Sequence, residues 1–121
     1  MVRSTTRSRG SSRQAWQALS RPQPALTPAA HADVLQAARD YNSKAPFLGL
    51  DFLDEFEETT SLIRETPLLF TVVDPPIRRA LIHRFPFGVF FVPGKDLEPD
   101  VIVAVVDLRQ DPEVIRQAYR R

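Results

Sequence analysis

The segment Val101 to Val106, VIVAVV, most restricts how this chain can fold, because every one of its positions is apolar. A strand with one face in water alternates apolar and polar side chains, whereas a strand that is apolar on both faces belongs inside a covered sheet. We therefore expect a central strand here, with other elements packed on both of its faces. A chain of 121 residues is long enough for one such core, and we expect a single folded domain.

Two amphipathic helices are predicted before this strand. Thr27 is placed to cap a helix that starts with Pro28 and ends near Lys44, and a second helical segment follows Pro46. The second helix should stop at Thr66-Pro67, because the residue before a proline is pushed out of helical geometry. So short a connection predicts an antiparallel helical hairpin. The predicted apolar faces are Ala30, Val34, Ala37, Ala38 and Tyr41 in the first helix, and Leu48, Phe52, Leu53, Phe56, Leu62 and Ile63 in the second.

The second half of the chain predicts an antiparallel sheet. After a loop around Asp74-Pro75-Pro76, we expect strands over Ile77 to Phe85, Val89 to Val92 and Val101 to Val106, then a short helix from Pro112 to Tyr119. The predicted fold class is α+β: an N-terminal helical hairpin packed on a small antiparallel meander of three strands, with a short C-terminal helix.

The composition excludes several kinds of site. The chain has no cysteine, so disulfides and thiolate metal sites are ruled out, and its two histidines are too few for a zinc site unless carboxylates complete it. We expect no metal and no cofactor. No apolar run approaches the roughly 20 residues of a membrane span, and the start of the chain lacks the apolar core of a signal peptide. We therefore expect a cytoplasmic protein with no membrane partner.

The basic charge is concentrated at the N-terminus. All 15 acidic residues follow Ala32, whereas five arginines precede it: Arg3, Arg7, Arg9, Arg13 and Arg21. We expect residues 1–21 to form a disordered basic arm, since this Ser- and Arg-rich stretch has little apolar surface to bury, and residues 22–121 to form the domain. Three interpretations of the arm stay open: a nucleic-acid-binding tail, an organellar transit peptide, or dispensable sequence upstream of the domain.

Four stretches of the domain, taken together in order and spacing, resemble the RelE/ParE toxins, and the ParE branch in particular. The longest is Arg78 to Phe91, RRALIHRFPFGVFF, which is similar to the central hairpin of that family. The others are Pro28 to Tyr41, Gly49 to Phe56 with its stop at Thr66-Pro67, and Val103 to Pro112, VAVVDLRQDP. The resemblance covers about residues 25 to 121 and implies a RelE/ParE-like domain.

Two positions depart from the family pattern. The family has an edge strand before its first helix, and here that place is taken by Arg21 to Leu26, whose prolines remove ladder donors. We expect this edge strand to be short, irregular or absent. Near the end of the last strand, the family has a histidine or a small polar residue, and this chain has Asp107.

The resemblance implies a growth-inhibiting toxin of a type II toxin-antitoxin system, of the kind that serves plasmid stabilization, neutralised by a cognate antitoxin in a hetero-oligomer. DNA gyrase is the first target to expect from the ParE branch. The alternatives are a RelE-like nuclease that cuts messenger RNA on the ribosome, and a decayed, inactive toxin or plain binding module. The residues expected to contact a target or antitoxin are Arg78, Arg79, His83, Arg84, Arg109, Arg116 and Arg120.

Cleavage of RNA without a metal needs an acid, a base and cations that hold the phosphate. Arg79, Arg84 and Arg109 could supply the cations, and His83 could titrate near neutral pH. In the nuclease branch a tyrosine follows the last-strand arginine by six residues, but Ile115 stands there in this chain. We therefore expect a toxin that is not an enzyme, with a metal-independent endoribonuclease as the alternative.

Each of these candidate residues also has a purely structural interpretation. The arginines after Ile77 could charge an exposed edge strand against aggregation. His83 could be a solvated strand residue, and Arg109 could pair with Asp107 or Asp111 at the surface. The aromatic residues of the hairpin, Phe87, Phe90 and Phe91, are expected to pack in the core rather than to stack on bases.

Overall fold

A computed structural model describes residues 21–121, so residues 1–20 of the predicted arm lie outside the described part. The described part confirms the α+β class, with three helices and one mixed sheet of five strands. None of its helices has the length and apolar character needed to cross a membrane. The elements are β1 (Ala25–Leu26), α1 (Pro28–Lys44), α2 (Leu48–Glu65), a 3-10 turn (Pro67–Leu69), β2 (Thr71–Asp74), β3 (Ile77–Leu81), β4 (Phe87–Val92), β5 (Val101–Asp107) and α3 (Pro112–Tyr119).

The sheet has the strand order β1-β5-β4-β3-β2. The apolar segment lies in β5, between a parallel β1 and an antiparallel β4, which confirms its predicted place inside the sheet. The predicted meander of three strands is wrong, because the antiparallel part of the sheet has a fourth strand. This strand, β2, pairs with β3 and places Thr71 opposite Arg79. The Asp74-Pro75-Pro76 stretch is therefore the turn of a hairpin, and β3 is not at the margin of the sheet.

The first strand of the predicted hairpin is shorter than expected. It ends at Leu81 instead of Phe85, and Arg84 has a φ of 73°, in the left-handed region outside the extended conformation of a regular strand. The backbone N–H of Ile82 then donates to the carbonyl of Phe87 at 3.0 Å and closes the turn. His83, predicted as a strand residue, lies in this turn.

The N-terminal edge strand is present but only two residues long, as its prolines predicted. Ala25 N–H donates to the carbonyl of Asp100 at 2.8 Å, and Thr27 N–H donates to the carbonyl of Ile102 at 3.0 Å. Beyond Leu26 the chain turns into α1, so the later part of β5 has no strand on that side.

The helical hairpin covers one face of the sheet. Thr27 caps α1 as predicted, since its Oγ1 accepts from Ala30 N–H at 3.1 Å. Gly49 lets α2 approach α1 closely: a Cβ there would collide with the carbonyl of Ala38, and its N–H donates to Asn42 Oδ1 at 2.9 Å. Leu62, predicted on the apolar face, is 53% exposed. The buried apolar core beneath the helices is Ala30, Val34, Ala37, Phe52, Phe56, Ile63, Ala80, Ile82, Phe85, Val89, Phe91, Ile102 and Val105.

A second, smaller core lies on the other face of the sheet, under α3. Its buried members are Phe90, Ala104, Val106 and Tyr119. The rings of Phe90 and Tyr119 stack with their centroids 4.9 Å apart. The two cores explain why β5 is apolar on both faces, and they confirm that Phe90 and Phe91 are packing residues.

Arg21, predicted as the last residue of the arm, is bonded to the domain. Its Nη2 donates to both carboxylate oxygens of Asp100 at 2.8 Å, and its Nε donates to the carbonyl of Arg64 at 2.6 Å. Asp100 has no exposed surface, and its Oδ1 also accepts from Gly94 N–H at 2.8 Å. This ion pair ties the segment before β1 to the end of α2 and to the start of β5.

Candidate functional site

Strand register divides the predicted arginines between the two faces of the sheet. Arg79 lies opposite Phe90, and cross-strand partners share a face, so Arg79 is on the side of α3. Arg78 lies opposite Phe91 and is on the side of the helical hairpin. The side chains of these two adjacent arginines therefore lie on opposite faces of the sheet, because successive side chains of a strand alternate between its faces.

The face of the sheet beside α3 carries an open groove, which we name the Arg79 groove. It consists of two adjoining cavities of about 260 and 300 Å³, and Arg79 lines both. Gly88 leaves room for the side chains of Leu108 and Arg79, because a Cβ there would meet Leu108 Cδ2 at 3.1 Å and Arg79 Cγ at 3.3 Å. The larger cavity is lined by Leu69, Phe70, Thr71 and Leu81, and the smaller by Val73, Phe90, Leu108, Pro112, Ile115, Arg116 and Tyr119.

Arg79 is the arginine in this groove whose charge is not matched within the described part of the chain. Its Nε is buried and has no hydrogen-bond partner. Arg116, on the wall formed by α3, donates to Glu113 Oε1 at 2.7 Å. Arg120 follows α3, and its Nε donates to Asp74 Oδ2 on β2 at 2.9 Å. Arg116 and Arg120 are therefore engaged within the domain, whereas Arg79 is not.

Arg78 has a structural position on the opposite face. Its Nη1 donates to the carbonyls of Leu68 at 3.1 Å and Phe70 at 2.9 Å. These bonds hold the 3-10 turn and the start of β2 against the sheet. The structure places Arg78 away from the Arg79 groove.

His83 and Arg84 lie together in the turn between β3 and β4, and both are exposed. The guanidinium of Arg84 faces α2, at 3.8 Å from Asp51 Oδ2 and 3.7 Å from Glu55 Oε2, and it lies over the ring of Phe85. Arg84 is therefore on the side of the helical hairpin, and the predicted edge-strand role does not apply to these residues.

Arg109 follows β5 and forms the local pair that the sequence suggested. Its Nε and Nη2 donate to the two carboxylate oxygens of Asp107 at 3.0 and 2.7 Å, and its backbone N–H donates to Asp107 Oδ1 at 2.9 Å. The hydrogen bonds from Arg109 lower the pKa of Asp107 below its ordinary value. Burial raises the pKa of the nearby Tyr41 phenol, an effect that the charge of Arg109 partly offsets.

The predicted residues thus do not form one cluster. Arg79 and Arg116 line the same cavity, Arg84 and Arg78 lie on the opposite face, and Arg109 is held by Asp107. Ile115, where the nuclease branch has a tyrosine, packs against the small core with Phe90. A phosphodiester in the Arg79 groove would meet one unmatched guanidinium, and the phenol that lines this groove is that of Tyr119, whose ring is stacked on Phe90.

Several residues of the groove were absent from the prediction. Val73, Leu81 and Leu108 carry no charge, and the sequence alone gave no sign that their side chains share a cavity with Arg79. The pairing of β3 with β4 supplies that information, because it places Arg79 next to Phe90 and Leu81 next to Gly88.

Neither the models of known protein families nor the curated proteins include a match to this chain.

Proposed function

We propose that this chain is the toxin of a type II toxin-antitoxin system, of the ParE-like branch of the RelE/ParE toxins. It acts by binding a macromolecular target, with DNA gyrase as the first candidate, and a cognate antitoxin neutralises it in the cytoplasm. The proposal starts from the resemblance of the four stretches and takes support from their positions in the fold.

The observation that carries the proposal is the order in which these stretches follow one another in space. Pro28 to Tyr41 lies in α1 and Gly49 to Phe56 in α2, and the two helices cover one face of the sheet. Arg78 to Phe91 forms the hairpin of β3 and β4, and Val103 to Pro112 runs from β5 into α3. A short strand before α1 pairs with β5, in the place where the family has its edge strand.

The geometry favours binding over catalysis. Metal-free cleavage of RNA needs several groups around one phosphate. The four residues considered for that role, Arg79, His83, Arg84 and Arg109, are divided between the two faces of the sheet and the turns at its end, and Ile115 cannot donate a proton. These positions support a toxin that acts by contact, and they leave the endoribonuclease as the alternative outcome of the test.

Controlled expression in a bacterial host tests the proposal. We expect induction to stop growth, with a DNA-damage response and cleaved DNA, and co-expression of the short open reading frame next to the gene to restore growth. Rapid loss of messenger RNA with specific cuts would instead assign the ribonuclease. Normal growth with confirmed folded protein would contradict the toxin proposal in both forms.

A matched pair of variants makes the test specific for the Arg79 groove. Arg79→Gln removes the unmatched charge from the groove, whereas Arg39→Gln removes the same charge from an exposed position on α1. If the groove contacts the target, the first variant should relieve growth inhibition and the second should not. Equal toxicity of both variants would place the target contact elsewhere on the domain.

A further inference from the structure

We propose that the Arg79 groove binds an extended apolar segment of a partner protein, with one carboxylate of that segment paired to the guanidinium of Arg79. The inference goes beyond the proposed function, because it concerns the chemistry that this face of the sheet recognises. It holds whether or not the chain inhibits growth.

The first support is the unmatched guanidinium. A buried N–H without a partner is unfavourable, and native structures satisfy nearly all such groups. Nε of Arg79 is buried and has no partner, while the neighbouring arginines Arg116 and Arg120 have carboxylates at hydrogen-bond distance. A carboxylate arriving in the groove cannot reach the buried Nε, but it would match the charge of Arg79 at the two terminal Nη atoms, where a planar guanidinium holds a carboxylate with two parallel bonds.

The second support is the apolar surface on both sides of Arg79. Leu69 and Leu81, which line one cavity, are 82% and 61% exposed. The other cavity has Val73, Leu108 and Ile115 around the stacked rings of Phe90 and Tyr119. An apolar side chain in each cavity, with an acidic residue between them, would match this order of apolar, basic and apolar surface.

The charge of the groove favours a peptide over a nucleic acid. Proteins that hold a phosphate backbone neutralise several phosphates with several cations, whereas Arg79 is the unmatched cation among the described residues that line the groove. Bases would also need free aromatic faces, and Phe90 and Tyr119 are stacked on each other. The N-terminal arm of this chain cannot provide the carboxylate, because residues 1–20 contain no acid.

The test uses the full chain and a panel of short acetylated peptides that alternate Leu or Val with Asp or Glu. Binding is followed by NMR through the Nε–Hε resonances of the arginines. We expect members of the panel to shift the Arg79 resonance at up to millimolar concentration, and replacement of their Asp and Glu by Asn and Gln to weaken binding about tenfold.

Three variants define the site. Arg79→Gln should weaken peptide binding about tenfold, while Arg39→Gln, with the same loss of charge on α1, should leave it unchanged. Leu81→Ser removes apolar surface that is already exposed, so the fold should survive while binding weakens severalfold. Leu81→Ser therefore tests the groove even if Arg79→Gln does not fold.

Three outcomes would overturn the inference. They are failure of the whole panel to bind, tighter binding of a short single-stranded RNA to the same resonances, and a concentration-dependent shift of those resonances without any peptide, which would assign the groove to a second copy of this chain. The result is separable from the growth test. A toxic protein that binds no peptide would refute this site alone, and a harmless protein that binds the panel would refute the toxin alone.

Discussion

The ion pair between Arg21 and Asp100 gives the sharpest quantitative prediction about stability. Asp100 is fully buried, and the side chain of Arg21 is 24% exposed. Removing one partner of a buried pair costs about 3–5 kcal/mol, because a charge is left without compensation. Since water reaches part of Arg21, we expect Arg21→Met to lower the free energy of unfolding by about 3 kcal/mol, near the lower end of this range. A domain of this size is stable by roughly 5–15 kcal/mol, so the loss is large.

A double substitution separates the charge from the packing. Arg21→Met keeps most of the apolar stem and leaves Asp100 buried and unpaired. Adding Asp100→Asn removes that charge and keeps an oxygen for the N–H of Gly94. We therefore expect the double variant to be more stable than Arg21→Met by about 1–2 kcal/mol, since the cost of an unpaired buried charge exceeds that of a neutral amide.

Urea unfolding followed by circular dichroism measures these differences, with Arg39→Met on the exposed surface of α1 as the control. The control should stay within about 0.5 kcal/mol of the parent chain. For Arg21→Met the melting temperature should fall by roughly 10–20 °C. A change below about 0.5 kcal/mol for Arg21→Met, or a double variant less stable than the single one, would refute the reasoning.

Three further predictions follow from single residues. Phe52→Ala should cost about 3–5 kcal/mol in urea unfolding, because its fully buried ring lies between the two helices and the sheet; a cost below about 1 kcal/mol would contradict this placement. Phe47 has a φ of 64° and is 72% exposed, so Phe47→Gly should stabilise the protein by about 1 kcal/mol by thermal melting, whereas Phe47→Ala, which keeps a Cβ, should not. Arg109→Gln should raise the pKa of Asp107 toward its ordinary value in a carboxyl NMR titration. Because the folded pKa of Asp107 is lowered, its small contribution to stability is present at neutral pH and is lost as the pH falls through that pKa, and this loss should disappear in the variant.

The helices and the strand β5 were predictable because their signals are local. Thr27 caps the start of α1, and the fixed φ of Pro28 suits the first turn of a helix. The run from Val101 to Val106 is apolar at every position, so both faces of this strand have to be covered by other elements. The strand β2 was missed because its four residues stand before Pro75-Pro76, and prolines predict a loop. In the fold those prolines occupy a hairpin turn at the edge of the sheet, where a missing N–H is tolerated.

The site was harder to predict because it depends on which residues meet across the fold. Alternation along β3 already separates Arg78 from Arg79 and puts Arg84 on the face of Arg78. It does not reveal that Arg84 has left the strand and lies in a turn, with a left-handed backbone and its guanidinium facing α2. No local pattern indicates that Asp74 lies beside Arg120, because these residues are 46 positions apart. The sequence therefore identified the charged residues and not the charges that remain unmatched.

The last two arginines show how such pairing changes the functional interpretation. Arg120 is bound to Asp74 on β2, and Nη2 of Arg121 donates to Asp33 Oδ2 on α1 at 2.7 Å. Asp33 also accepts from Val105 N–H at 3.0 Å, on the side of β5 that β1 leaves without a strand. The basic end of the chain thus serves to fix α3 across the sheet and to cover an open strand edge. Three of the arginines expected to contact a target or antitoxin, Arg109, Arg116 and Arg120, are thus engaged within the domain, whereas the charge of Arg79 in the groove is unmatched among the described residues.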